Sequence, residues 1–199
     1  MYPLFETICV KNGVIQNIEW HEKRYKTAFE LFYSKMTEKS LLEDIVVPEE
    51  FQNGLNKLRV LYNERDKKYE FERYVPKRIK TLKLVEADNV KYDLKFTDRG
   101  QLNDLLKRKE NCDDVLIIKK GKITDSSYAN IVFTNGRKWL TPSAPLLKGT
   151  CRQRLLSEKS IGEINLPVKD IRQFIGFNLI NAMNNLDKNN FIRIDNILE

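Results

Sequence analysis

The 199-residue sequence contains only one histidine and three cysteines, and this scarcity excludes several kinds of site. His21 alone cannot form a zinc site built on several imidazoles, and any Ser-His or Cys-His relay would have to use it. Cys9, Cys112 and Cys151 are odd in number, far apart and without a C-x-x-C pair, so we predict buried thiols rather than a disulfide framework. We predict no metal site.

Long hydrophobic runs are also missing. No apolar stretch approaches the roughly 20 residues that a membrane-spanning helix needs. The first six residues lack the charged-then-apolar order of a signal peptide. Hydrophobic residues nevertheless make up 41% of the chain, enough for a sizeable core. We therefore predict a folded cytoplasmic protein with no membrane contact.

The charge balance is basic, with 35 Lys and Arg against 28 Asp and Glu and a net charge of +7. These cations are mixed with acids along the whole chain, and the densest clusters, at residues 77–80 and 107–109, are short. No basic-aromatic RNA-binding signature accompanies them. We predict a solvated surface without a nucleic-acid partner, and one that would attract small anionic ligands.

Hydrophobic periodicity predicts a mixed α and β chain with many hairpins. In the first half, Asn12-Gly13 is typical of a hairpin turn, and the period changes from strand-like to helical at Trp20. In the second half, apolar residues alternate from Val90 to Phe96 before another helix. The predicted elements are strands at 4–10, 14–18, 57–63, 68–75, 90–96, 114–119, from 123 until the polar stretch 125–130 interrupts it, 131–133 and 139–140, and helices at 20–34, 48–53 and 98–110.

Arg24 is the first candidate for a functional residue because it falls inside the apolar arc of the helix that begins at Trp20. A buried guanidinium is costly without an anionic partner, so it would meet a carboxylate, a phosphate or a water-filled cleft. The alternative is an arginine whose stem packs while its charged head reaches solvent.

A second candidate is the predicted helix start after Gly149. Thr150 and Gln153 fit the S/T-x-x-E/Q capping box, and Gly149 permits a bend or a close approach of the backbone. An exposed helix N-terminus offers N–H groups and partial positive charge to an anion. Helix capping without any ligand explains the same residues, so the sequence leaves both an anion site and a simple helix cap open.

Several motifs resemble those of the class IV aminotransferases, which are the fold-type IV pyridoxal-phosphate enzymes. They occur in the same order as in that family and extend along nearly the whole chain. The motifs are Phe5-Glu6-Thr7-Ile8, His21-x-x-Arg24, Leu94-Lys95 with Arg99, Asp114-Val115-Leu116 followed by Gly121 to Ile131, Trp139-Leu140-Thr141-Pro142, and Leu147-x-Gly149-Thr150-x-Arg152.

The resemblance implies a cofactor, pyridoxal 5'-phosphate, and a role for each matching residue. Lys95 would carry the cofactor covalently and then move a proton. Asp125 would pair with the pyridine nitrogen, where the family usually has the longer glutamate. Arg24 would bind the phosphate. Gly149, Thr150 and Asn130 complete the implied cofactor site.

The reaction within the family is read from the stretch Ile180-Asn181-Ala182-Met183, which is similar to the Cys-Asn-Ala-Leu of 4-amino-4-deoxychorismate lyases. Such a lyase eliminates pyruvate and leaves 4-aminobenzoate for folate synthesis. An amino-acid transaminase of the branched-chain or D-amino acid type, and a non-catalytic pyridoxal-phosphate-binding protein, stay open as alternatives. The expected substrate is a small amine with carboxylates, with Asn181, Arg152 and Tyr92 as binding candidates and Arg59 as a further carboxylate anchor.

The implied architecture is an α/β (α+β) protein of fold-type IV with two domains. Residues 1–81 would form a small N-terminal α/β domain, and residues 82–199 a barrel-like C-terminal domain that carries the cofactor lysine. The resemblance also implies a homodimer.

Overall fold

The computed structural model describes residues 1–199 and divides them into two compact units. The first unit is Met1–Pro76 with Leu94–Asp98, and the second is Lys77–Asp93 with Arg99–Glu199. Residues 77–81, expected in the first domain, lie in the second unit, whereas Lys95, expected in the second domain, lies in the first unit. The predicted mixed α/β class is confirmed.

The first unit is a four-stranded antiparallel sheet with one long helix. The sheet has the strand order β2-β1-β3-β4. Asn12 and Gly13 both have positive φ, at 48° and 76°, which is the backbone of the predicted hairpin turn. The elements are β1 (Leu4–Lys11), β2 (Val14–Ile15), α1 (Ile18–Tyr33), β3 (Leu55–Tyr62) and β4 (Lys67–Arg73).

Alternating residues of β1 build the core of this unit. Leu4, Ile8 and Val10 lie on one face of the strand and pack with Tyr25 and Phe29 of α1. The strand predicted to run to residue 18 stops at Ile15, because Asn17 adopts a left-handed conformation and α1 begins at Ile18. The helix itself was predicted to within two residues.

The segment Leu94–Asp98 returns to the first unit along the edge of β1. Phe5 N–H donates to the Lys95 carbonyl at 3.1 Å, and Thr97 N–H donates to the Pro3 carbonyl at 2.8 Å. Only the single bridge between Leu4 and Phe96 forms there, so the strand predicted over residues 90–96 is wrong. Val90 and Tyr92 are buried in the second unit, whereas Leu94 and Phe96 are partly buried against the core of the first, and this burial produced the pattern.

The second unit is built on a nine-stranded sheet with two further helices. Its main path has the order β10-β9-β8-β7-β6-β5-β13, while β11 pairs with β8 and β12. The elements are β5 (Leu82–Glu86), α2 (Gly100–Lys107), β6 (Asp114–Lys119), β7 (Lys122–Ser126), β8 (Asn130–Thr134), β9 (Trp139–Pro142), α3 (Thr150–Ser157), β10 (Gly162–Ile164), β11 (Gly176–Ile180), β12 (Ile192–Arg193) and β13 (Ile197–Leu198).

Two local expectations in this unit have different outcomes. The turn at Lys120-Gly121 is confirmed, with positive φ at both residues. The capping box is wrong, because Gly149 occupies the N-cap position and Thr150 is already the first helical residue. No side chain caps α3.

The three thiols are free and buried, as predicted. None of the helices combines the length and apolar character that crossing a bilayer would require.

Candidate active site

Asp125 and Asn130 face each other across a tight turn in the second unit. They are the single Cα pair between β7 and β8, and the Ser126 N–H donates to the Ala129 carbonyl at 3.0 Å to close the turn. The Asn130 amide donates to Asp125 Oδ1 at 2.7 Å and to the Leu147 carbonyl at 2.8 Å. Asp125 Oδ2 accepts from the Leu147 N–H at 3.0 Å. The carboxylate is therefore held in one orientation.

Gly149 packs directly against this pair. A Cβ atom at residue 149 would lie 2.1 Å from Asn130 Oδ1, so only glycine lets the start of α3 approach so closely. The Gly149 N–H already donates to the Leu147 carbonyl at 2.9 Å. The donors that the helix start can offer an anion are therefore the N–H groups of residues 150–152, because the Gln153 N–H already donates to the Gly149 carbonyl at 3.0 Å.

The ionisation of Asp125 is shifted by its surroundings. Burial raises the pKa of this carboxyl to about 6, although hydrogen bonds from Asn130 and the Leu147 and Leu146 backbone, and the charge of Arg152, act in the opposite direction. Each carboxylate oxygen has two lone pairs. A cationic N–H donor placed against Asp125 would therefore favour its ionised form.

Arg152 lies on α3 and is 1% exposed. Its Nη2 donates to the Pro142 carbonyl at 2.8 Å and to Glu163 Oε1 at 2.6 Å, so the side chain ties α3 to β9 and β10. Its Nε is buried without a partner. These contacts give Arg152 a structural role, and its expected role in binding substrate stays a prediction.

The other two substrate-binding candidates also lie in the second unit. Ile180 of β11 pairs with Asn130, which places Asn181 at the same end of the sheet. Asn181 Oδ1 accepts from the Met183 and Asn184 N–H groups at 2.9 and 3.0 Å, so the residue stabilises a turn. Tyr92 is buried, with the Arg99 guanidinium 5.8 Å from its ring centroid.

In the first unit, Arg24 meets a carboxylate, which was one of the partners expected for it. Its Nε donates to Glu6 Oε1 at 2.7 Å and its Nη2 donates to Glu6 Oε2. His21 Nδ1 lies 2.7 Å from Glu6 Oε2. Sequence reasoning assigned no role to Glu6. Its position between Leu4 and Ile8, on the apolar face of the predicted strand, was a signal that this carboxylate needs a buried cationic partner.

The charges of this cluster control the ionisation of Glu6. Burial alone would raise the pKa of Glu6, but the charge of Arg24 and the hydrogen bond and charge of His21 lower it to about 2. Glu6 is completely buried, and the Arg24 side chain is 15% exposed. The pair is therefore a buried ion pair, which depends on both of its partners.

Lys95, in the segment that follows the edge of β1, is half-buried. Its Nζ lies 4.7 Å from the centroid of the Phe5 ring, and Arg59 Cζ lies 4.7 Å from the same centroid. Because neighbouring residues of a strand point to opposite faces, Phe5 contacts Lys95 on one face of β1 and Glu6 binds Arg24 on the other. Phe5 is the second residue that sequence reasoning left without a role.

Comparison with known proteins gives the same family over the same motifs. An uncharacterized protein of Haemophilus influenzae is 42% identical over 188 residues, which cover 94% of this chain and 100% of that protein. A crystal structure from Haemophilus somnus, provisionally named a 4-amino-4-deoxychorismate lyase, is 39% identical with a TM-score of 0.87 and covers 94% of this chain and 98% of that one.

A fold IV transaminase of Curtobacterium pusillum shares the fold alone, with 15% identity, a TM-score of 0.71, and coverage of 92% of this chain and 74% of that one. The family model for class IV aminotransferases matches residues 3–186. The chain therefore belongs to the class IV aminotransferases, a family of pyridoxal-phosphate-dependent enzymes.

Proposed function

We propose that this enzyme is a lyase that converts 4-amino-4-deoxychorismate into 4-aminobenzoate and pyruvate. The observation that carries the proposal is the likeness to the Haemophilus somnus protein with that provisional name, because identity and coverage are both high. The Asn181-Ala182 pair is in keeping with this choice, since it is the part of the lyase-like stretch that is identical.

The chemistry of the side chains fits pyridoxal phosphate in each unit taken by itself. Asp125 is a buried, oriented acceptor with lone pairs for a pyridinium N–H. Arg24 and the N–H groups at the start of α3 suit a phosphate. Lys95 supplies a primary amine. When bound, the cofactor would supply an aldehyde for amines and a ring that withdraws electrons from the adjacent carbon.

The protein's own residues would divide the remaining work. Lys95 Nζ would hold the cofactor covalently, and after substrate exchange it would accept and return a proton. Asp125 would hold a proton on the pyridine nitrogen, and Asn130 and Gly149 would keep its carboxylate oriented. Arg24 and Thr150 would bind the phosphate oxygens.

We propose Arg59 as an anchor for a substrate carboxylate. It stacks on Phe5, the ring that also contacts Lys95, and its ion pair with the half-exposed Glu70 is long, at 3.5 Å. A weakly held guanidinium can exchange one carboxylate for another at little cost. The roles of Asn181, Arg152 and Tyr92 toward substrate stay predictions, as do the homodimer and the cytoplasmic location that the family implies.

The first experiment tests the cofactor and its lysine. The purified protein with pyridoxal phosphate should be yellow, and borohydride should fix the cofactor on a peptide containing Lys95. A Lys95→Ala variant should lose the covalent attachment, whereas Lys91→Ala, which changes a nearby exposed lysine, should keep it. A colourless protein that ignores added cofactor would refute the assignment.

The second experiment separates the two reactions by their products. A lyase releases fluorescent 4-aminobenzoate without an added keto acid, whereas a transaminase of the branched-chain or D-amino acid type requires one. Asp125→Asn should reduce turnover severely in either enzyme. Cofactor binding without turnover on either substrate class, unaffected by Asp125→Asn, would instead support a non-catalytic binding protein.

A further inference from the structure

Glu6 is a fully buried carboxylate that the proposed chemistry does not use. It lies on β1 between Leu4 and Ile8, both of which are also completely buried. Placing an anion among apolar side chains costs several kcal/mol unless the anion is paired and hydrogen-bonded. Glu6 has three such partners, namely Arg24 Nε, Arg24 Nη2 and His21 Nδ1.

The contact between Glu6 and Arg24 is bidentate, so it fixes the plane of the guanidinium as well as its distance. Two parallel N–H···O bonds leave a planar fork almost no rotational freedom. Without them an arginine side chain on a helix carries about 2 kcal/mol of rotamer entropy. His21, three residues earlier on α1, contacts through Nδ1 the same carboxylate oxygen that accepts from Arg24 Nη2.

We propose that Glu6 is the positioning residue for the phosphate-binding arginine, and that His21 supports Glu6 in this role. The inference rests on the proposed function, in which Arg24 binds the phosphate of the cofactor. Glu6 fixes the edge of the guanidinium formed by Nε and Nη2, and thereby determines which side of Arg24 an anion meets. Glu6 would improve phosphate binding although it is itself negative.

Two effects of opposite sign compete here, and they can be separated. The charge of Glu6 repels a phosphate dianion, whereas its hydrogen bonds keep Arg24 in place. Its charge is already compensated at hydrogen-bond distance by Arg24, so an approaching anion meets the positive end of a neutral pair. We therefore expect positioning to outweigh repulsion.

The test compares the affinity of the full-length protein for pyridoxal phosphate with its affinity for pyridoxal, which has the same aldehyde and ring but no phosphate. The ratio of the two dissociation constants, measured by absorbance titration, isolates the phosphate contribution. Glu6→Gln keeps the reach of the side chain without its charge, and Glu6→Asp keeps the charge with a shorter reach. Glu64→Gln, which removes a surface carboxylate paired with Lys35, is the matched control.

Both Glu6 variants should lower the preference for pyridoxal phosphate about tenfold, which is the loss of about 1.4 kcal/mol of oriented charge-assisted binding. Pyridoxal affinity should change less than about twofold, since a general structural defect would lower both affinities together. The control should keep the preference of the original protein. An unchanged preference in both variants, or a preference that rises in Glu6→Gln and stays constant in Glu6→Asp, would overturn the inference.

Two more variants complete the design. His21→Gln removes only the contact that supports Glu6, so it should lower the preference by a smaller factor, and it replaces Glu6→Gln as the test if that variant does not fold. Arg24→Gln tests the underlying function. If it leaves the preference unchanged, the phosphate role of Arg24 is wrong; if it lowers the preference while the Glu6 variants do not, only the positioning role is wrong.

Discussion

The ion pair between Glu6 and Arg24 makes a specific prediction about stability in acid. In the folded protein the pKa of Glu6 is about 2, against an ordinary value of 4.5. A depressed carboxyl pKa stabilises the folded state above the ordinary pKa, and this stabilisation is lost as the pH falls toward the folded value. Two and a half units at 1.36 kcal/mol each give about 3 kcal/mol.

The measurement is the free energy of unfolding by urea as a function of pH, for the original protein and for Glu6→Gln, whose amide does not titrate. Above about pH 5.5 the original protein should be more stable by a constant amount. That amount should be about 3–5 kcal/mol, because the variant leaves the buried Arg24 without its anion. Between about pH 5.5 and pH 3 the difference should shrink by about 2 kcal/mol, since the unfolded chain takes up a proton first.

Two results would refute this reasoning. A difference that stays constant from neutral pH to pH 3 would mean that the folded and unfolded pKa values of Glu6 are similar. A Glu6→Gln variant as stable as the original protein at neutral pH would mean that the buried pair contributes nothing over a neutral amide. Glu64→Gln, at the surface, should change stability by less than about 1 kcal/mol at every pH.

Three further predictions concern the second unit. Because burial raises the pKa of Asp125 to about 6, its contribution to stability without cofactor is present below its ordinary pKa of 3.8 and is lost as the pH rises through 6. The unfolding free energy of the original protein in urea, relative to that of Asp125→Asn, should therefore fall by about 2 kcal/mol from pH 4 to pH 7. A constant difference would contradict this. Gly149→Ala should lower the stability measured by thermal unfolding by about 1–3 kcal/mol, because the new Cβ meets the hydrogen-bonded Asn130 amide. Gly162→Ala should cost less, since its Cβ meets only the end of the Leu140 side chain, at 3.1 Å. Equal costs would show that the residues around Gly149 adapt. Arg152→Met should lower the unfolding free energy by about 2–4 kcal/mol, because Arg152 is buried. Glu163→Gln should lower it by less than about 1 kcal/mol, since Glu163 is half exposed. Similar losses in the two variants would show that the ion pair supplies most of the stabilisation by Arg152.

Local signals in the sequence predicted the elements that local geometry determines. The turn at Asn12-Gly13 and the extent of α1 depend on positive φ and on a 3.6-residue period, and both can be read within a short window. Alternation over residues 90–96 failed because the apolar residues of this segment are covered in two different units, in a pattern that has the same period as a strand.

The candidate site was less accessible to sequence reasoning, because its contacts join distant residues. The partner of Arg24 is Glu6, 18 positions earlier, and only the fold shows that their side chains meet. Lys95 and Asp125 were selected by family resemblance alone, since on its pattern Lys95 resembles any exposed strand residue. The contact between Gly149 and Asn130 could not be anticipated either, since it depends on where α3 begins.

The return of Leu94–Asp98 to the edge of β1 also constrains the order in which the chain can fold during synthesis. Pro3 leaves the ribosome before Thr97, the residue 94 positions later whose hydroxyl donates to the Pro3 carbonyl. Until then that stretch of β1 is an unpaired strand edge, open to other chains. A fragment that ends at Pro76 would keep this unpaired edge and lack Lys95. We expect such a fragment to complete the first unit only when a separate peptide spanning residues 94–98 is added.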